Sequence, residues 1–401
     1  MAKKGFLLFG TVCLLGVGCG VGLFSLINPL DEKETRAVKV DKVIHVKKEV
    51  TKQSSQPEIL DKTNSLFDSH QVVGEAVYPR LNIDGSKISE NIMPMGTVVS
   101  VKPVPENDEW VEIVSDPPKG FIEKRLLTAR QEHIAAREAK RQGNLSPLEL
   151  KAQLDAQITD FLAKNGGDVS IYLETVDQKF SYHHNGDKVN RTASSIKLPF
   201  IAYLMTLADQ EAIDLTTELT FLEHNRMGGT GIIQFEPAGK NYTLKQLAEL
   251  TIRYSDNIAY IMLLNHLGEA NFINFLAKLD ANSPNNRVFS TARILSKSMA
   301  YVHQKQEKNQ DSHIGTLYDW LQQSTFDDGV AVGLPGVNVS HKTGWMPMYM
   351  VSNDIALVHD KERPYYITIM TNGYNDAYSE KAISDLSKLI DDQLLQLSHH
   401  E

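Results

Sequence analysis

The segment Thr192-Ala193-Ser194-Ser195-Ile196-Lys197-Leu198-Pro199-Phe200-Ile201 holds the only Ser-x-x-Lys in the chain, and its reading decides the fold. Ile196, Phe200, Ile201, Leu204 and Met205 recur at helical spacing, with Pro199 early in the run, where a helix tolerates it. Three residues apart on that helix, Ser194 and Lys197 share a face and lie within reach of each other. A serine hydroxyl is a poor nucleophile until a neighbouring base takes its proton. A lysine becomes that base when burial lowers its pKa towards neutrality. Taken alone, the same four residues also read as an N-capping serine beside a solvated lysine.

Two further segments weigh against that bland reading. Ser255-Asp256-Asn257 lies in the run Leu244–Leu267, where Leu247, Leu250, Tyr254, Ile258 and Ile261 predict one amphipathic helix. His341-Lys342-Thr343-Gly344-Trp345 precedes two strand-like runs, Asn353–Val358 and Tyr365–Met370. At a strand edge, Lys342 and Thr343 offer a cation and a hydroxyl to a substrate carboxylate. Gly344 lets a substrate lie close to the backbone. Asp256 reads as structural rather than catalytic.

Ser-x-x-Lys, Ser-Asp-Asn and Lys-Thr-Gly in this order resemble the signature of class A β-lactamases and penicillin-binding proteins. The resemblance covers Ser146–Leu397. It extends to Gly229–Gln234, Leu247-Ala248-Glu249-Leu250, Gly333-Leu334-Pro335 and Asn353–Ala356. It implies an α+β domain: a five-stranded antiparallel sheet flanked by helices, plus a helical lobe. By the same resemblance Ser194 is the nucleophile that becomes acylated and Lys197 its proton acceptor. Ser255, helped by Lys342, relays a proton to the leaving nitrogen. Asn257 binds the substrate amide and Thr343 its carboxylate. The backbone N–H groups of Ser194 and Trp345 form the oxyanion hole. No cofactor and no metal are implied.

The match departs from the family at two places. Class A enzymes carry a Glu, in a long loop between the second and third motifs, that activates the deacylating water. The corresponding stretch here, Leu279–Phe289, is short and has Asp280 as its only acid. The resemblance then implies acylation by β-lactams with slow release. Trp345-Met346-Pro347-Met348-Tyr349-Met350 is bulkier than the family's usual residues there. It reads as a narrowed cleft, an apolar wall or a packed strand end.

The rest of the chain places this domain. Of 401 residues, 41 are Lys or Arg and 50 Asp or Glu, so the net charge is 41 − 50 = −9, a poor match to a nucleic-acid binder. Residues 1–60 hold nine basic and six acidic residues, or +3, which leaves −12 for the remainder. Both cysteines, Cys13 and Cys19, fall in the uncharged run Gly5–Leu30, so the rest of the chain has no disulfide framework or thiolate metal site. That run is long enough to span a bilayer, and Lys3-Lys4 before it favours a cytoplasmic N-terminus. Residues 1–30 are therefore read as a stub and transmembrane anchor, with residues 6–29 in the membrane and the catalytic domain extracytoplasmic. Residues 31–66 are a polar spacer.

Residues 67–128 hold short β-rich runs split by Pro, Gly, Asn and Asp, and they resemble the bacterial SH3-type domains of cell-wall proteins. That resemblance implies a small barrel able to hold peptidoglycan. Residues 129–145 read as a solvated helical connector. Ser146-Pro147-Leu148-Glu149 then caps the first helix of the hydrolase domain, 146–401. His183-His184 and His399-His400 have no partners at metal-ligand spacing. The whole reads as a membrane-anchored serine hydrolase acting on β-lactams or D-alanyl cell-envelope substrates. A β-lactamase with full turnover and a non-catalytic wall-binding sensor are the alternatives.

Overall fold

Alternation of apolar and polar residues builds the first layer of the structure. The computed structural model describes residues 70–73, 79–83, 93, 98–105, 107–114, 120–324 and 329–398. The anchor and the spacer lie outside them, and among the described residues no helix is long and apolar enough to cross a membrane. Five short antiparallel strands come first: β1 (His70–Val73), β2 (Val98–Val104), β3 (Asn107–Ile113), β4 (Gly120–Glu123) and β5 (Leu127–Ala129). They pair in the order β4-β3-β2-β1-β5. Val111 and Ile113 point inward on either side of Glu112, and with Val99, Val101, Met93, Ile122 and Leu126 they form a small core.

The connector follows as α1 (Arg130–Glu138), and two of its arginines, Arg137 and Arg141, are paired in the interior rather than solvated. Arg137 donates to both oxygens of Asp391 at 2.7 Å and to Asp360 at 2.6 Å, and Arg141 donates to Asp360 at 2.6 Å. The Arg137 side chain is 10% exposed and both aspartates 2%. Burial alone would raise the Asp360 carboxyl, but the two guanidinium groups outweigh it and hold its pKa down to about 2. The partners stand more than 200 residues along the chain, which is why residues 129–145 look solvated when read alone.

Ser146 and Glu149 form the expected capping box of α2 (Pro147–Asn165), and Gly166 ends that helix at φ 68°. Next come β6 (Asp168–Thr175), β7 (Ser181–His184) and β8 (Asn190–Arg191), then α3 (Lys197–Asp209). The helical lobe continues through the small ribbon β9 (Glu218–Thr220) and β10 (Asn241–Thr243) into α4 (Leu244–Arg253), α5 (Asn257–Leu267) and α6 (Glu269–Leu279). It ends with β11 (Phe289–Ser290), α7 (Ala292–Lys308) and α8 (His313–Leu321). The turn α9 (Val330–Gly333) leads to β12 (Val339–Met346), β13 (Val351–Val358), β14 (Tyr365–Asn372) and the last helix, α10 (Asp376–Leu394).

The main sheet is antiparallel, ordered β12-β13-β14-β6-β7, so β12 is an edge strand. Both faces are covered. Ile171, Leu173, Ala356, Val358, Ile367 and Ile369 pack on α2 and α10. The alternate positions Tyr172, Ile355, Leu357, Tyr366 and Met370 pack into the lobe core with α3 to α8. This matches the α+β layering the sequence implied.

Arg137→Ala leaves the buried Asp391 carboxylate without its countercharge and Asp360 with Arg141 alone. It should lower unfolding stability in urea by about 3–5 kcal/mol. A loss within the usual range for exposed ion pairs would show that the connector does not depend on the pair.

Candidate active site

The start of α3 fixes the first two functional side chains. Ala193–Ile196 form a single 3-10 turn, with Ala193 in the left-handed region at φ 47°. The turn brings Ser194 to the mouth of a cleft while Lys197, 2% exposed, opens α3 beneath it. Lys197 Nζ lies 3.0 Å from Ser194 Oγ, 2.7 Å from the Ser255 carbonyl oxygen, 2.7 Å from Asn257 Oδ1 and 3.3 Å from Ser255 Oγ. Four neighbouring oxygens exceed what three N–H donors can serve. Here Lys197 donates to Ser194 Oγ; once deprotonated, it keeps two N–H donors for the Ser255 carbonyl and Asn257 and frees a lone pair for the Ser194 hydroxyl proton. Burial, followed by the nearby Lys342 ammonium, pushes the Lys197 pKa well below its ordinary value, against an opposing pull from Asp256.

Ser255 and Asn257 owe their positions to a break. The run Leu244–Leu267 does not form one helix: α4 ends at Arg253, and α5 begins at Asn257. Ser255 takes the left-handed conformation, φ 48°, which turns its carbonyl onto Lys197. Asp256 makes the break stable. Its carboxylate accepts from the Ile258 and Ala259 N–H groups, both at 2.9 Å, and so caps α5. It also accepts from Ile232 N–H at 2.7 Å and Ile233 N–H at 2.9 Å, tying the Gly228–Gly231 loop to the same point. The apolar spacing continues through the break, so periodicity alone conceals it. Thr230 donates to the Ser255 carbonyl at 2.6 Å.

Lys342 and Thr343 come from β12. Lys342 is fully buried and donates to Ser255 Oγ at 3.2 Å and to the Thr343 carbonyl at 2.8 Å. Ser255 Oγ therefore stands between two lysine side chains. Thr343, Gly344 and Trp345 line the cleft. At Gly344 the close approach is made by the turn that carries Ser194. A Cβ there would sit 2.8 Å from Ser194 N and collide with Ser195 N. All eight sequence-derived candidates, Ser194, Lys197, Ser255, Asn257, Lys342, Thr343, Gly344 and Trp345, gather at one cleft of about 780 Å3. Among the described residues no group of His, Cys, Asp and Glu gathers at metal-ligand geometry.

These elements match known proteins as well as each other. A family description, the Beta-lactamase enzyme family, fits residues 153–394. The chain belongs to that family. A β-lactamase of Bacillus licheniformis is 26% identical over 263 residues, which cover 60% of this chain and 80% of that protein. Beta-lactamase 3 of Bacillus cereus is 25% identical over 253 residues, or 55% of this chain and 75% of that one. The solved structure of PBP-A superposes with a TM-score of 0.56 at 23% identity, covering 60% of this chain and 96% of that one. A variant of PBP-A, solved as an acyl-enzyme complex with penicillin G, gives 0.55 at 22% identity, covering 61% and 96%.

In this member of the Beta-lactamase enzyme family the passage from α6 to β11 is short, residues 280–288. Asp280 ion-pairs with Lys297 at 2.7 Å and accepts from Asn282 N–H at 2.9 Å. It is absent from the cleft lining, where Glu380 of α10 is the sole carboxylate among the described residues. The bulky run after Gly344 is not a packed strand end. Trp345 is 44% exposed and Met348 79%, and with Met346, Pro347 and Met227 they form an apolar wall of the cleft. Sequence reading missed Arg191, Arg287 and Met227, which belong to no motif and reach the cleft only through the fold.

Gly344→Ala tests the close approach of β12 to the turn that carries Ser194. The added methyl should cost about 1–3 kcal/mol of stability as turn and strand separate. A thermal melt unchanged from the parent would show that the turn has room to spare.

Proposed function

We propose that this chain is an acyl-enzyme-forming serine hydrolase in which Ser194 attacks the carbonyl carbon of a β-lactam or a D-alanyl cell-envelope substrate. The observation that carries this reading is the placement of buried Lys197 Nζ 3.0 Å from Ser194 Oγ. Lys197, its pKa lowered by burial, takes the serine proton in its amine form as the C–O bond forms. The Ser194 and Trp345 N–H groups hold the oxyanion, a contribution typically worth about 10²–10³ in rate per donor. Ser255 Oγ, between Lys197 and Lys342, passes a proton to the leaving nitrogen as the C–N bond breaks. Asn257 holds the substrate amide, and Thr343 its carboxylate.

Deacylation distinguishes this reading from ordinary antibiotic hydrolysis. Water must attack the Ser194 ester, and the loop that carries a base in class A enzymes offers here only Asp280, tied to Lys297. We therefore assign β-lactams the role of slow-release acylating agents and D-alanyl envelope compounds the role of turnover substrates. The uncharged run before residue 31 and the SH3-type resemblance of residues 67–128 support an extracytoplasmic enzyme held at the membrane near peptidoglycan.

Benzylpenicillin should add its full mass to Ser194 in the intact protein, and the adduct should outlast removal of free drug. Rapid nitrocefin turnover with no such adduct would favour a true β-lactamase. Adduct formation that survives Ser194→Ala would sink the mechanism. The acylation rate should rise with pH and level off well below pH 10.5, because Lys197 must lose its proton before it can accept another. Lys342→Gln removes one cause of the lowered pKa and should move the inflection to higher pH. An inflection that stays in place would separate the base from Lys197.

A further inference from the structure

We propose that the Arg191 guanidinium, held against two aromatic rings in the cleft lining, binds a carboxylate on the acyl portion of the substrate. This rests on the acyl-enzyme reading above and names a substrate class for the same site.

Arg191 lies on β8, three residues before Ser194, and lines the cleft. Its guanidinium carbon sits 4.8 Å from the ring centre of Phe289 and 3.9 Å from that of Tyr349. Phe289 is its cross-strand partner on β11. Tyr349 ends the 3-10 turn Pro347–Tyr349, which Met350 closes in the left-handed region at φ 52°. The strand beneath is pinned too, since Asn353 Nδ2 donates to the Arg191 carbonyl at 2.9 Å.

Ring faces attract the cation but offer little to its in-plane fork of N–H donors, which matches a carboxylate bidentately. Among the described residues no carboxylate lies within ion-pair reach of Arg191, whereas the other cleft arginine, Arg287, stands 3.2 Å from Glu269. Arg191 is thus a cation held in place with its donors uncommitted.

Strand β12 sets which part of a substrate meets it. Thr343 lies inside β12, and Tyr349 lies beyond its end at Met346. With a rise of about 3.3 Å per residue, Thr343 and Met346 stand roughly 10 Å apart. A substrate with its terminal carboxylate on Thr343 and its carbonyl at Ser194 extends its acyl portion past Trp345 and Met348 towards Tyr349 and Arg191. A second carboxylate carried there meets the fork. An ammonium there meets a like charge, so the same residue also disfavours cationic side chains.

Carbenicillin and benzylpenicillin test this on the full-length chain, because they differ only by a carboxylate on the acyl side chain. The ratio of their acylation rate constants at Ser194 should favour carbenicillin. Arg191→Gln should lower that ratio about tenfold, the order of one charge-assisted hydrogen bond. Arg191→Lys should recover part of it, and added salt should erode it in the parent. An equal loss for both penicillins would make the stack a structural clamp and overturn the inference, as would an unchanged ratio. If neither penicillin forms a Ser194 adduct with the parent protein, the acyl-enzyme reading fails and takes this inference with it.

Discussion

A lysine kept in the interior without a carboxylate is the constraint on which this molecule is organised. Every atom within hydrogen-bond reach of Lys197 Nζ is a neutral oxygen: the hydroxyls of Ser194 and Ser255, the Ser255 carbonyl and the Asn257 amide oxygen. An ammonium there is expensive, so the site favours the amine. To supply the carbonyl, Ser255 must enter the left-handed region, which ends α4 and obliges a new helix to start. To start it, Asp256 must be spent on four backbone N–H groups, which occupy both of its carboxylate oxygens.

Three non-glycine residues around the cleft, Ala193, Ser255 and Met350, hold positive φ. Conformations of this kind cost about 1–3 kcal/mol each and persist where the surroundings over-determine them. Here the surroundings are visible. The first lies in the turn whose Thr192, Ser194 and Ser195 backbone abuts Gly344, the second is fixed by Asp256 and Thr230, and the third is bound between Pro347 and Gly373. The strain lies where one helix, one helix break and one strand end must converge on the same few ångströms.

Much of this was legible in the residue order. The capping box at Ser146 and the strands that became β13 and β14 followed from local chemistry, which short segments carry whole. The three motifs pointed to one cleft because each fixes a side chain relative to its own backbone. What stayed hidden depends on distant partners. The split between α4 and α5 was masked by apolar spacing that fits one helix as well as two. Arg137 and Arg141 looked like surface charges until Asp360 and Asp391 came to them. Arg191 carries no motif, and its setting needs Phe289 and Tyr349 from two other segments.

The clasp formed by Arg137 and Arg141 gives the connector a mechanical role. The helix begins where β5 ends, and its far end is tied to Asp360, just past β13, and to Asp391 on α10. Tension applied through the N-terminal side of the chain is therefore borne by the sheet margin and the last helix. None of the clasp's hydrogen bonds is made by Ser194, Ser255 or Lys342.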